Sequence, residues 1–187
     1  MRLSNIVMAS AVVVLASVAF ATQRGQQAVN PLIGKAAPAF SAKGTDGKTY
    51  SLDSVGKGSM VMVFWKNPCP HNPRASALIN SIVDAYKGKA NFVGVVNADG
   101  DTAKSFQKQF GPNYTMLNDG AKSIIGDYNM RQSIQFVVIN KDKKVEAVIG
   151  GYGADAMAQL NTAMAKSAGM TEAKLDFSGA PTRTTYG

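Results

Sequence analysis

The stretch "VMVFWKNPCPHNPRAS", Val61 to Ser76, decides the fold. It contains the only cysteine, the only histidine and the only tryptophan of the 187-residue chain. An apolar run typical of a strand stops at Cys69, which has a proline on each side, and a segment with helical spacing follows. Functional groups of open α/β sheets gather where strands end and helices begin. The pattern therefore predicts that Cys69 is a nucleophile presented at a strand-to-helix junction.

The prolines around Cys69 leave two starting points open for the helix. If the helix begins directly after Cys69, Pro70 fits its first position, where no backbone N–H is needed. The positive end of the helix dipole would then favour the thiolate. Pro73 opposes this start, because it cannot donate the first internal hydrogen bond. In the alternative, Asn72 caps the helix, and Cys69 lies one turn outside it with less help from the dipole.

Two neighbours of Cys69 are candidates for a role beside it. His71 could add positive charge or shuttle a proton, and an exposed polar residue at a helix start is the alternative. Trp65 packs either beside the site or purely within the core. One cysteine and one histidine two residues apart supply too few ligands for a soft metal such as copper. No phosphate-binding glycine motif accompanies them, so we expect neither a metal nor another cofactor.

The remainder of the chain predicts alternating strands and helices around this junction. Asp46-Gly47 is a strong hairpin turn signal, and "SMVMVFW" and "NFVGVVNAD" are typical of buried strands. Helical segments follow each of these strands, and Asp101 is the expected N-cap of the second helix. A short helix, a hairpin turning at Asn140 to Lys143 and a last helix complete the order. We therefore predict an α/β fold with a mixed central sheet, helices on both faces and an N-terminal β-hairpin.

The two ends of the chain read differently from this domain. Residues 1–21 resemble a signal peptide, with a charged Arg2, an apolar run and the cleavage pattern Ala19-Phe20-Ala21. The run is shorter than the roughly 20 residues of a membrane span, so an uncleaved anchor is the alternative. We expect a linker at residues 22–31, a domain at 32–169 and a flexible tail at 170–187, which is poor in core-forming residues. This organisation predicts export to the periplasm or the extracellular space.

The charge and the cysteine count limit the possible partners. The net charge is +8, but the basic residues are scattered and no aromatic-interleaved basic patch accompanies them, so nucleic acid is not expected as a partner. Any membrane contact would be peripheral or made through an uncleaved signal. One cysteine forms no disulfide within the chain, so its redox partner would be an external thiol reductant or a disulfide-bearing protein.

Three segments resemble the thioredoxin-like superfamily, and most closely its exported thiol-disulfide and peroxiredoxin-like (alkyl hydroperoxide reductase / thiol-specific antioxidant) redoxins. They are "IGKAAPAFSAKGTDGKTYSLDSV", "VMVFWKNPC" and "DYNMRQSIQFVVINKDKKV". The resemblance runs from about Ile33 to Ser167 and implies a thioredoxin-like fold. It also implies that the Cys69 thiolate attacks a peroxide or a disulfide, and it makes Arg131 the candidate for the peroxiredoxin active-site arginine.

The sequence departs from these families at three positions. Asn72 stands where thiol-disulfide oxidoreductases have their second cysteine, so a dithiol cycle within one chain is impossible. Ile134 aligns with the proline that follows a cis bond beside the thiol, and a cis bond before isoleucine costs about 2.5–4 kcal/mol, so we expect a trans bond there. Lys66 replaces the Thr or Ser that peroxiredoxins place three residues before their cysteine. The motif formed with Pro68 and Pro70 is similar to the "N-x-C-P" of single-cysteine redoxins.

Two hypotheses about function follow. In the first, the protein is an exported antioxidant redoxin whose single thiol reduces a peroxide or exchanges with a disulfide, and an external thiol completes the cycle. In the second, it is a redox-inactive binding or adaptor module of the cell envelope. Cys69 would then be a small buried hydrophobic residue, as free cysteines often are.

Overall fold

A computed structural model of the protein describes residues 30–187. The predicted signal peptide at 1–21 and nearly all of the predicted linker at 22–31 lie outside the described residues. The elements, in chain order, are β1 (Ser41–Lys43), β2 (Thr49–Ser51), α1 (Leu52–Val55), β3 (Ser59–Trp65), α2 (Asn72–Ala85), β4 (Ala90–Val96), α3 (Gly100–Phe110), β5 (Thr115–Asn118), α4 (Ser123–Asp127), β6 (Gln135–Ile139), β7 (Val145–Gly150) and α5 (Ala154–Ala168). Among these described helices, none is long and apolar enough to cross a bilayer.

Strand β3 lies at the centre of a five-stranded mixed sheet. The strand order is β5-β4-β3-β6-β7, in which β3 pairs parallel with β4 and antiparallel with β6. All seven residues of β3 are buried, as expected for a strand covered on both faces. Strands β1 and β2 form a separate antiparallel hairpin. The predicted fold class, with its mixed sheet and N-terminal hairpin, is confirmed.

The side chains of β3 alternate between two separate parts of the core. Val61, Val63 and Trp65 pack with residues of α2, α3 and α5 on one face of the sheet. Their neighbours Met60, Met62 and Phe64 pack on the other face, with residues of α1 and α4. This alternation follows from the two-residue period of a strand, and it covers both faces of the sheet with helices, as predicted.

Three local features differ from the expectations. Strand β5 and helix α1 were not anticipated, because each has only four residues, too few to show a period. The N-cap of α3 is Asp99 rather than the expected Asp101, which lies in the first turn. The N-cap of this helix therefore lies two residues before the predicted position.

Residues 170–187 follow a defined path along the domain without forming a helix or a named strand. The Asn161 side chain donates a hydrogen bond of 2.9 Å to the carbonyl of Ala173. Ala180 is buried and joins the same core cluster as Trp65. The mobility expected for this tail stays a prediction, but its residues contribute to the core more than their composition indicated.

Candidate active site around Cys69

Cys69 lies in the loop between β3 and α2, and only 7% of its surface is exposed. Two asparagines hold this loop from opposite sides. The backbone N–H of Asn67 donates to Oδ1 of Asn97 at 2.6 Å, and the side-chain amide of Asn72 donates to the carbonyl of Lys66 at 3.1 Å. The peptide bond between Asn67 and Pro68 is cis. Cys69 thus lies at a junction between a strand and a helix, as predicted.

Helix α2 begins at Asn72, with His71 as its N-cap. Its first backbone bond runs from the Ala75 N–H to the His71 carbonyl at 3.0 Å. Neither predicted start is correct, because Pro70 lies before the helix and Asn72 lies within it. Pro73 occupies the first turn, where a missing N–H costs nothing. Cys69 therefore lies outside the helix, two residues before its cap, and the dipole reaches it only from that distance.

The loop before β6 keeps a cis bond without a proline. The Ser133–Ile134 peptide bond is cis, so the expectation of a trans bond is wrong. That expectation used the preference of an isolated peptide bond, whereas tertiary hydrogen bonds fix both residues here. The Ser133 hydroxyl accepts from the Lys66 N–H at 3.0 Å, and the Ile134 carbonyl accepts from the Gly151 N–H at 2.6 Å.

Gly187 lies next to both Cys69 and Ser133. A Cβ built on Gly187 would lie 2.6 Å from the sulfur of Cys69 and 3.3 Å from the carbonyl oxygen of Ser133. The Gly187 N–H donates to that same oxygen at 2.6 Å, and the Ser133 N–H donates to the Gly187 carbonyl at 3.4 Å. The cysteine loop, the Ser133–Ile134 loop and the tail therefore meet at the sulfur.

Asn72 fills the position of a second cysteine with a buried amide. Its side chain is 0% exposed, and it ties the start of α2 back to the end of β3 through Lys66. The other side-chain atom, Oδ1, has no hydrogen-bond partner among the described residues. Asn72 thus holds the loop that presents Cys69, and it offers no thiol chemistry of its own.

His71 and Trp65 are placed differently with respect to the sulfur. The imidazole of His71 is partly exposed and packs on the ring of Tyr152, with centroids 6.1 Å apart. Trp65 is 2% exposed, its indole N–H donates to the Tyr114 hydroxyl at 3.2 Å, and its ring meets the edge of Phe106. Burial raises the pKa of the Tyr114 phenol, and the hydrogen bond from Trp65 partly offsets that shift. Of the two roles considered for Trp65, packing beside the site or purely within the core, these contacts favour the core.

Tyr152 is a site residue that the sequence did not reveal. It lies directly after the hairpin strand β7 and is 1% exposed, and its hydroxyl has no hydrogen-bond partner among the described residues. Burial raises the pKa of this phenol, and the nearby charge of Arg74 acts in the opposite direction. Its backbone also pairs with Thr185 of the tail. A glycine-rich stretch, "GGYG", was the only sequence signal of a special backbone here.

Arg131 lies on the wall of a pocket of about 270 Å³ that is also lined by Ser133 and Gly187. Lys66 and Lys122 line the same pocket, so three cationic side chains surround it. The guanidinium of Arg131 donates from Nε to the Asn129 side chain at 3.3 Å. Arg131 is therefore placed near the site, on the side of the Ser133–Ile134 loop. The two prolines that flank Cys69, Pro68 and Pro70, are exposed.

No group of three metal-ligating His, Cys, Asp or Glu side chains occurs in residues 30–187. The sulfur of Cys69 has Gly187 as its neighbour, and the cationic pocket lies on the far side of that contact, where Ser133 and Gly187 line it.

Comparison with known proteins identifies the family. The AhpC/TSA family model matches residues 33–148, which is more than half of the chain, and the chain belongs to this family. Chloroplastic peroxiredoxin Q of Populus jackii is 33% identical over 95 residues, which cover 49% of this chain and 44% of that protein. Peroxiredoxin Q of Suaeda salsa is 29% identical over 101 residues, or 52% and 46%. The chain thus spans about half the length of the curated relatives it matches.

Solved structures share the fold over most of this chain. A secreted disulfide oxidoreductase of Mycobacterium tuberculosis, homologous to DsbE of E. coli, aligns with a TM-score of 0.57 and 25% identity over 68% of this chain and 95% of that one. Peroxidoxin BcpB of the same organism aligns with a TM-score of 0.61 and 16% identity, over 74% and 97%. These likenesses confirm the predicted resemblance to thioredoxin-like redoxins.

Proposed function

We propose that the protein is an exported thiol-dependent oxidoreductase that works through the single thiol of Cys69 and is completed by an external thiol. The observation that carries this proposal is the position of Cys69, in a loop held at the end of β3 and next to a residue, Gly187, that also contacts the backbone of Ser133. The secreted disulfide oxidoreductase among the structural neighbours and the apolar N-terminal run support export.

Two reactions fit one thiol. In peroxide reduction, the thiolate attacks a peroxide oxygen, an S–O bond forms and the O–O bond breaks. The alkoxide or hydroxide that leaves takes up a proton, and Cys69 becomes a sulfenic acid. An external thiol then condenses with it and releases water. A second thiol attacks the external sulfur of the mixed disulfide and restores Cys69 while a disulfide leaves.

In disulfide exchange, the thiolate attacks a sulfur of a disulfide in a partner protein. A mixed disulfide forms and the other sulfur leaves as a thiolate. An external thiol then resolves the mixed disulfide, because Asn72 cannot. The buried amide of Asn72 therefore makes an external thiol necessary in both reactions. In either case His71, at the cap of α2, and Arg131, on the pocket wall, are the side chains proposed to assist with charge.

The adaptor hypothesis is favoured by a different observation. Cys69 is 7% exposed, and the tail residue Gly187 lies directly against its sulfur. If that cover is permanent, Cys69 is a small hydrophobic residue of the core, and the surface around it binds a partner without exchanging electrons.

Alkylation separates the two hypotheses. The rate of Cys69 alkylation by iodoacetamide is measured from pH 4 to pH 9, with the Cys69→Ser variant as the blank. An enzyme shows fast modification well below pH 8, whereas a reaction that is slow or absent at every pH, both in the wild type and in a variant lacking residues 181–187, supports the adaptor. Stopped-flow oxidation by hydrogen peroxide, followed through the fluorescence of Trp65, then distinguishes a peroxidase from a disulfide-exchange enzyme.

A further inference from the structure

We propose that residues 181–187, here called the plug segment, occupy a groove beside Cys69 in which they pair with the backbone of Ser133, Tyr152 and Ala154. The plug segment must leave this groove before a protein disulfide can reach the sulfur. This inference rests on the proposed function, since it assigns a regulator to the same thiol. It also assigns the vacated groove to an extended polypeptide in trans that has a small residue opposite Cys69.

The plug segment is held to the domain chiefly through its backbone. Tyr152 and Thr185 exchange both backbone hydrogen bonds, each at 2.8 Å, and the Ala154 N–H donates to the Pro181 carbonyl at 2.9 Å. Gly187 and Ser133 form the pair next to the sulfur, with the distances given above. Ser133 lies shortly before β6 and Tyr152 shortly after β7. The plug segment therefore pairs with backbone groups at both ends of this hairpin, as a peptide does when it adds to the exposed backbone of a sheet.

Glycines allow this close approach on both sides. A Cβ on Gly153 would lie 2.8 Å from the Cα of Thr184, and a Cβ on Gly151 would overlap the Thr184 side chain. On the plug itself, a Cβ on Gly187 would lie 2.6 Å from the Cys69 sulfur, a separation that carbon and sulfur atoms do not adopt without displacement. The groove therefore fits a backbone that has a glycine opposite the thiol.

The contact at Gly187 limits the chemistry of Cys69. Attack on a disulfide requires the second sulfur in line behind the first, so space for a polypeptide must open at the thiol. The sulfur of Cys69, a residue that is 7% exposed, is in contact with Gly187 and lacks that space. None of the residues of the plug segment is buried, and four of its seven are exposed. Segments with few buried contacts open most readily, so the plug can leave without unfolding of the domain.

Three proteins test this device: the full-length wild type, a variant lacking only residues 181–187, and full-length Gly187→Ala. Gly179→Ala is the matched control, because a Cβ at position 179 has no neighbour within 4 Å. We expect a bulky maleimide to modify Cys69 at least about tenfold faster in the deletion variant and in Gly187→Ala than in the wild type or the control. Circular dichroism shows which variants are folded, and Gly187→Ala decides the test if the deletion variant is not.

Peptide binding tests the groove without the thiol. The Cys69→Ser deletion variant is titrated with the peptide PTRTTYG and with its Gly-to-Ala form, PTRTTYA. We expect saturable binding of the first peptide and at least tenfold weaker binding of the second. Measurable alkylation at equal rates in the wild type and both folded variants, or no binding of PTRTTYG, overturns the plug. Peptide binding together with a thiol that stays unreactive after plug removal instead overturns the proposed enzyme and leaves the groove assignment standing.

Discussion

The cysteine loop and the plug segment meet at one sulfur, but different forces hold them. The cysteine loop lies between a fully buried strand and a buried helix face, and the amide of Asn72 and the Asn97 side chain fix it. The plug segment depends on backbone pairs with Ser133 and Tyr152 and contributes little buried side-chain surface. The cysteine loop is therefore a rigid wall of the site, held by packing, and the plug segment is a removable wall. The predictions below separate these two walls.

The largest effect is expected from removal of the sulfur itself. Cys69→Ser should abolish thiol-dependent turnover entirely, because no second cysteine exists in the chain, while Tm changes little because the hydroxyl is nearly isosteric. Activity with dithiothreitol as the external thiol is the measurement, with hydrogen peroxide and a model disulfide as separate substrates. Turnover that persists in Cys69→Ser would show that the chemistry lies elsewhere.

The protein should lose stability when the amide of Asn72, which holds the rigid wall, is removed. Asn72→Ala deletes a fully buried side chain and its bond to the Lys66 carbonyl, and we expect a loss of about 1–3 kcal/mol in the free energy of unfolding. Urea unfolding measures this loss. Asn80→Ala is the matched control, because Asn80 lies on the same helix and its amide also bonds a loop carbonyl, that of Gly111, but on the exposed surface. The loop assignment predicts faster Cys69 alkylation in Asn72→Ala alone, and an equal change in Asn80→Ala would refute it.

The two walls also differ in how far the sequence predicted them. The cysteine loop was predictable because the seven buried residues of β3 and the spacing of α2 leave a periodic pattern. Ile134 misled because its cis bond is fixed by partners distant in sequence, which a local preference does not contain. Gly187 gave no signal and Tyr152 only the neighbouring glycines of "GGYG", since backbone pairing leaves no side-chain pattern. A prediction from sequence therefore locates Cys69 at its junction and misses the residue that covers it.

Alkaline pH should lower the free energy of unfolding of the domain that carries the rigid wall. Burial raises the pKa values of Tyr114 and Tyr128 in the folded state, whereas an unfolded tyrosine titrates near pH 10. The unfolded state thus releases protons first as the pH rises, so stability is intact below about pH 10 and falls above it, by up to about 1.4 kcal/mol per pH unit for each phenol.

Urea unfolding between pH 9 and pH 11 measures this slope. Tyr128→Phe should reduce it, with Tyr186→Phe as the control, because Tyr186 is 50% exposed. If Tyr186→Phe reduces the slope as much as Tyr128→Phe does, burial is not its cause.

The smallest effect is expected on the removable wall, from a single side-chain hydrogen bond. The Thr185 hydroxyl donates to the Tyr152 carbonyl at 3.0 Å, and Thr185→Val removes this bond while leaving both backbone bonds and the side-chain shape in place. A part-exposed hydrogen bond contributes about 0.5–1 kcal/mol, so the plug should open about two- to fivefold more often. Cys69 alkylation by a bulky maleimide should accelerate by that factor, while urea unfolding of the domain stays unchanged.

Thr182→Val, on an exposed residue of the same segment, should alter neither quantity. If Thr185→Val lowers global stability and leaves the alkylation rate unchanged, the plug opens only with the domain, and the two walls form one unit.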